Sequence, residues 1–320
     1  YLAQGRAIRC VVTLFDSIED LVTENDRRYE DDGDEDATLD QNRLQAGYSA
    51  LVGALPWLVK KATEMDYDDY ACLIKMLRQG ADSARGDDMA KLKTLVSDWV
   101  NSELRPNPPV ESDDKHYCGF VNDTCGRLLC PTELDWRNPV VKAGIRDHSE
   151  GYTVTDLSFP AFVYEKYVAN PDNLEEGIFK GKILVQAYKA VFTSPSSAKD
   201  VEGDGDGTDV IENNRRAKRA FSAIKVKKHV RFALSSITSW RSVDGDFDYI
   251  QFWKTVVDFF ERAPGRESQR RVKRLLEWWT RKVFGRNCRE ELSSTAKANL
   301  SVNMLARQRA QLDEAAFDSD

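Results

Sequence analysis

The chain has 320 residues, with 53 acidic and 46 basic side chains, a formal net charge of −7, and 41% hydrophobic and 10% aromatic content. That is ample to bury one large core or two small ones, and no apolar run reaches the roughly 18 residues of a membrane-spanning helix, which argues against a membrane partner. Six cysteines, Cys10, Cys72, Cys118, Cys125, Cys130 and Cys288, are too sparse for the framework of a small secreted domain, read as reduced thiols, and imply an intracellular protein of nucleus or cytoplasm.

In GRAIRCVVTLFDSIEDLV, residues Ile8, Val11, Val12, Phe15, Ile18 and Val22 recur at helical steps and predict a first helix with one buried face. The acidic tract from Tyr29 to Gln41 repels itself and predicts a loop. Tyr48, Leu51, Val52 and Leu55 form a second face, ended or bent by Pro56. Tyr70, Leu73, Ile74 and Leu77 form a third, stopping near Gly80. Asp87 or Asp88 then caps a helix carrying Met89, Leu92, Val96 and Trp99. The same Asp87 closes an Arg-Gly-Asp tripeptide, for which the capping role is sufficient explanation. Three prolines between Arg105 and Asp114 mark a linker. The expected organisation is an acidic helical lobe over 1–105, a linker over 106–114 and a second lobe over 115–285.

After the linker, His116, Cys118, Cys125 and Cys130 lie close together, but without the paired CxxC spacing of a zinc site. They read as semi-buried thiols in a loop packed by Leu128, Leu129 and Trp136. GYTVTDLSFPAFVYEKY predicts a short strand or an extended crossing segment. From Asn173 the helical pattern returns in Phe179, Ile183, Leu184, Ala187, Tyr188 and Val191, and must end by Ser194 because Pro195 follows. Gly177 to Lys182 resembles a phosphate loop, yet it is one residue short between its glycines and has Ile183 where a hydroxyl should hold magnesium. The acidic stretch 199–212 resembles a calcium loop from Asp200 onward, but Ile211 occupies the twelfth position, where a bidentate carboxylate belongs. It reads as a linker. No cofactor or metal is expected.

Charge is distributed unevenly: 13 basic against 24 acidic residues over 1–114, 10 against 16 over 115–212, and 23 against 13 over 213–320. From Asn213 to Val243 there is no acid, and Ala223, Val226, Val230, Ala233 and Ile237 predict one apolar helix side, which leaves cations on another. The candidate contacts to an anion or nucleic acid are Arg215, Arg216, Lys218, Arg219, Lys225, Lys227, Lys228 and Arg231. His229 in the same helix reads as a structural imidazole. Two further core helices carry Ile250, Trp253, Val256, Val257 and Phe260, then Val272, Leu275, Leu276, Trp279 and Val283. Trp278 falls off the second stripe beside Arg274, Arg281 and Lys282. These four join the candidate surface, although Trp278 equally suits packing under arginine stems. Residues 286–320 read as a polar helix and tail.

The fold class is therefore all-α, a two-lobed multi-helix array with an irregular, loop-rich central segment. The expected function is non-enzymatic binding of nucleic acid or an acidic protein. The alternatives are an enzyme with carboxylates gathered between the lobes and a self-associating scaffold. In order along the chain, ARGDDMAKLK, GRLLCPTELDW, GIFKGKILVQAYKAVFTSPSSA, VRFALSS and LLEWWTRKVF resemble a domain family of unknown function abundant in mushroom-forming basidiomycete fungi. The likeness covers Arg6 to Gly285, and it implies no activity or catalytic residue to carry over. Cys118 and Cys125 depart from the family pattern, and the helix before VRFALSS is more basic than is typical.

Overall fold

A computed structural model describes residues 1–12, 16–30, 37–192, 195–199, 229–284 and 293–317. These residues are almost entirely helical, in two helix-rich regions connected by loops. The acidic stretch 31–36 and the segment 200–228, with its calcium-like loop, lie outside the described residues.

The first region comprises α1 (Leu2–Val11), α2 (Ile18–Glu30), α3 (Leu39–Ala54), α4 (Trp57–Glu64) and the early turns of α5 (Tyr67–Leu104). Ile8, Leu21, Leu51, Leu58, Leu73 and Leu77 form its core. The helix starts follow from local chemistry. Thr38 and Gln41 make a reciprocal capping box at α3, and the Asp66 carboxylate accepts from the Asp69 amide at α5. The apolar face running from Ile8 to Val22 is divided between two helices. The Ser17 hydroxyl accepts from the Asp20 amide at 2.9 Å, and the Asp20 carboxylate accepts from the Ser17 amide at 3.2 Å. This pairing starts α2 afresh.

The expected stop near Gly80 and restart at Asp87 are also corrected, since α5 runs without interruption for 38 residues. Gly80 is where α1 crosses. A Cβ there would stand 2.2 Å from the Leu2 carbonyl oxygen, and one at Gly5 would stand 2.2 Å from the Leu77 carbonyl oxygen. The two glycines let the backbones touch, which outweighs the poor helix propensity of glycine. Asp87, mid-helix, pairs with Arg6 at 2.7 Å and caps nothing.

The later turns of α5, with Leu92, Val96, Trp99 and Val100, enter the second core. Arg105 ends the helix in a left-handed conformation. The second region continues with α6 (Asp123–Leu129), α7 (Pro139–Arg146) and α8 (Lys182–Phe192). Residues 229–234 are helical (α9). They are followed by the antiparallel pair β1 (Val243–Asp244) and β2 (Phe247–Asp248), then α10 (Tyr249–Glu261) and α11 (Gly265–Phe284). Phe162, Phe179, Leu184, Phe252 and Trp279 are central to this core, and the Trp279 indole donates to the Phe179 carbonyl at 3.1 Å.

The helix expected from Asn173 begins only at Lys182, because residues 173–181 turn and Phe179 takes a positive φ of 61°. GYTVTDLSFPAFVYEKY crosses the core irregularly, with two 3-10 turns and isolated bridges from Pro160 to Pro131 and from Tyr164 to Ile178. The regions also meet through ions. Arg43 on α3 reaches Asp258 at 2.6 Å and Glu261 at 2.8 Å on α10, and Lys254 reaches Asp40 at 2.8 Å. Toward the carboxyl end lie α12 (Ser294–Ala298) and α13 (Ser301–Phe317).

Candidate functional site

Two features of the second region bear on function. The first is the outer face of α11. Its 20 residues span about 30 Å. Val272, Leu275, Leu276, Trp279 and Val283 face the core. On the opposite side the helical period gathers Arg266, Arg270, Lys273, Arg274 and Arg281, all exposed. Arg270, Arg271 and Arg274 share the one carboxylate of Glu267, at 3.6, 3.8 and 3.1 Å. Arg271 also reaches Glu175 at 2.7 Å. Arg281 and Lys282 form no ion pair among the described residues. None of these cations forms an ion pair with a described carboxylate of the first region. Trp278 lies half-buried at the stripe's edge, packed edge-on against Trp279, with the Lys180 ammonium 5.4 Å above its ring.

Of the remaining candidate contacts, Arg215, Arg216, Lys218, Arg219, Lys225, Lys227 and Lys228 lie outside the described residues. Arg231 is corrected outright, because it is 3% exposed and faces inward. Its guanidinium carbon sits 3.6 Å from the centre of the Phe247 ring, and Nη2 stands 3.7 Å from the Asp244 carboxylate. Every residue from His229 to Ser235 is buried, so α9 has no solvated side on which a cation could sit. His229 lies beside Trp240 in the same buried cluster.

The second feature is a cavity of about 650 Å³ inside this region. Phe120, Ile145 and Val154 supply apolar wall, and Arg231, Ser235 and Asp244 supply polar lining. Its shape depends on a tight approach. Gly119 takes a φ of 66°, its amide donates to the Leu234 carbonyl at 2.8 Å, and a Cβ there would meet the Ser236 amide at 3.0 Å. Arg146, also lining, is already engaged, donating to the Phe120 carbonyl and to Asp123. Burial pushes the Asp244 carboxyl up and the Arg231 guanidinium down from their ordinary values, and their mutual attraction opposes both shifts.

No local pattern marks Lys115, which is 3% exposed and underpins this cavity. Its ammonium donates to the carbonyls of Phe232, Ala233 and Ser235 at 3.0, 2.6 and 3.0 Å. A cation thus closes the carboxyl end of α9, where the unsatisfied carbonyls and the dipole favour positive charge. Burial pushes its pKa down to about 8.

The nearby thiols are more deeply placed than a loop would hold them. Cys118, Cys125 and Cys130 are all buried, and Cys125 lies on α6. A hydrogen bond with Cys118, together with burial, pushes the Cys125 thiol up, and burial pushes Cys130 up to about 12. Cys125 and Cys130 are therefore poor nucleophiles, whereas the hydrogen bond with Cys125 and the nearby Lys115 ammonium bring Cys118 down to about 7. Among the described residues no three His, Cys, Asp or Glu side chains converge as a metal site, and no helix is long and apolar enough to cross a membrane.

Helical packing around an aromatic core, a cationic helix face and a part-open cavity characterise the second region. Residues 79–284 match the model of the family of unknown function DUF6698, and the chain belongs to that family. The matched span holds the whole second core, from Leu92 to Val283. No curated protein and no solved structure matches the chain.

Proposed function

We propose that this is a non-enzymatic intracellular binding protein that docks nucleic acid along the exposed face of α11. The observation that carries the reading is the run of Arg266, Arg270, Lys273, Arg274 and Arg281 on one side of a 20-residue helix. Their local counter-charge is incomplete, since three arginines share Glu267 and Glu277 is the other acid on the helix, leaving five cations to two carboxylates. Clustered, incompletely neutralised cations of this kind are the footprint of phosphate-backbone binding. The basic sequence from Arg215 to Lys228 adds seven further cations to the same region of the chain. The sparse cysteines support an intracellular setting, in nucleus or cytoplasm. The motif resemblance supports an origin in the basidiomycete family described above.

Fluorescence anisotropy with a labelled oligonucleotide, repeated over a salt series, tests the reading. Neutralising about four phosphates predicts a log–log slope near −3 to −4 on duplex DNA. The triple substitution Arg270→Ala, Arg274→Ala, Arg281→Ala flattens that slope and weakens binding to all sequences alike. A flat salt response, or no binding at low salt, refutes nucleic acid as the ligand and leaves an acidic protein face as the polyanion to try. A second reading, self-association, is favoured by one observation. Val302, Met304 and Leu305 on α13 are 76%, 48% and 48% exposed. Light scattering of the full chain decides it, a monomer excluding the reading.

A further inference from the structure

Arg231 is the most deeply buried cation lining the cavity, and its donors are largely unmet. Nε and Nη1 are buried without a hydrogen-bond partner among the described residues. Among the described residues the only carboxylate paired with it, Asp244, stands 3.7 Å from Nη2, beyond hydrogen-bonding distance. The Phe247 ring supports the guanidinium face but takes up none of its N–H groups. The buried Tyr249 hydroxyl lies near Arg231 and Ser235 but makes no hydrogen bond of ordinary length with either. An unmet charged donor in the interior costs considerably more than an ordinary hydrogen bond returns, and a guanidinium cannot escape the cost by losing its proton. Native proteins satisfy such groups, if not internally then with ordered water or a bound species.

The cavity indicates which species. At about 650 Å³ it falls within the range of small-molecule sites. Asp244 and Asp246 line it together with Arg231, His148 and the already engaged Arg146, so a phosphate dianion beside Arg231 would also face two carboxylates. A single negative charge avoids most of that repulsion, and an apolar body suits the wall formed by Phe120, Ile145 and Val154. We infer that this cavity binds a small monocarboxylate with an apolar body, its carboxylate accepting from Arg231 and its body lying against Phe120, Ile145 and Val154. The site is separate from the α11 face and does not depend on the nucleic-acid reading.

The test uses the full chain with benzoate as the probe, benzamide as its uncharged isostere and inorganic phosphate as the alternative anion. Binding is followed by calorimetry and ligand-observed NMR. Benzoate should bind at least roughly tenfold more tightly than benzamide, because only the carboxylate accepts from the buried guanidinium. Asp244→Asn removes a competing carboxylate and should tighten benzoate by about threefold or more. Arg231→Met should abolish the preference for benzoate. If that variant does not fold, the benzoate-to-benzamide ratio and Asp244→Asn still decide. The inference is overturned if benzoate does not bind, if benzamide binds equally, if phosphate is preferred, or if Asp244→Asn leaves benzoate affinity unchanged or lower.

Discussion

Replacing Gly80 with alanine and Gly86 with alanine makes the same chemical change six positions apart on one helix, and the two should have opposite signs. Gly86 is exposed, with nothing within 4 Å of an added Cβ. There the methyl contributes only helix propensity, a gain of about 1 kcal/mol. At Gly80 the methyl would stand 2.2 Å from the Leu2 carbonyl oxygen. Ordinary contact needs roughly 3.4 Å, so α1 must retreat by about 1 Å along a backbone-to-backbone contact. Overpacking of that kind costs about 1–3 kcal/mol, and the upper end applies because neither side is a flexible side chain. Subtracting the propensity gain leaves Gly80→Ala destabilised by about 2 kcal/mol. At about 1.5 °C per kcal/mol for 320 residues unfolding together, Gly86→Ala should raise Tm by about 1.5 °C and Gly80→Ala should lower it by about 3 °C. Thermal melts followed by far-ultraviolet circular dichroism read both. Gly5→Ala should behave as Gly80→Ala does, since it meets the Leu77 carbonyl at the same distance. A stabilised Gly80→Ala would refute the account of the helix crossing.

Lys115→Met strips three buried carbonyls of their donor while relieving a buried charge, for a net loss of about 2–3 kcal/mol in urea denaturation. A loss under about 0.5 kcal/mol would mean the ammonium does not hold α9. The folded-state pKa of Lys115 is depressed from 10.5 to about 8. Below that value both folded and unfolded chains carry the proton. Between pH 8 and 10.5 only the folded chain has lost it, so wild-type stability should rise with pH there relative to Lys115→Met. At the acid end, hydrogen bonds from Arg27 and then Arg28 hold Glu24 down from 4.5 to about 2. That stabilisation is present above the unfolded value and should fade as pH falls from 4.5 toward 2. Glu24→Gln should remove this part of the acid dependence of Tm, and an unchanged acid profile would disprove the role of the pair.

The apolar stripes were legible because each is written within one element. Leu73, Ile74 and Leu77 on α5, Ile183, Leu184 and Ala187 on α8, and Leu275, Trp279 and Val283 on α11 all reach the core as their spacing implies. The outward cations of α11 follow from the same period. What was missed depends on partners distant in sequence. Gly80 reads as a stop until α1 is laid across it. Arg231 reads as one more surface cation until Asp244, Phe247 and Tyr249 fold back over it. A signal was present in the run VRFAL, where a single charge is surrounded by apolar neighbours on every side of a helix. The break between α1 and α2 also had a local sign, the Ser17 to Asp20 pairing, which the apolar pattern across it concealed. The cavity is assembled from segments between Gly119 and Asp246, and no single stretch carries its shape.

The unbroken course of α5 matters for anyone trimming the chain to its family match. A truncation beginning at residue 79 severs that helix partway along, one residue before Gly80, and discards the Asp66 carboxylate that closes its natural beginning. It also strips away the α1 backbone that shields Gly80, so the new end starts bare, with orphaned amides and exposed small residues. Cutting ahead of Asp66 preserves the whole rod and its cap, and gives the second core an intact spine on which to assemble.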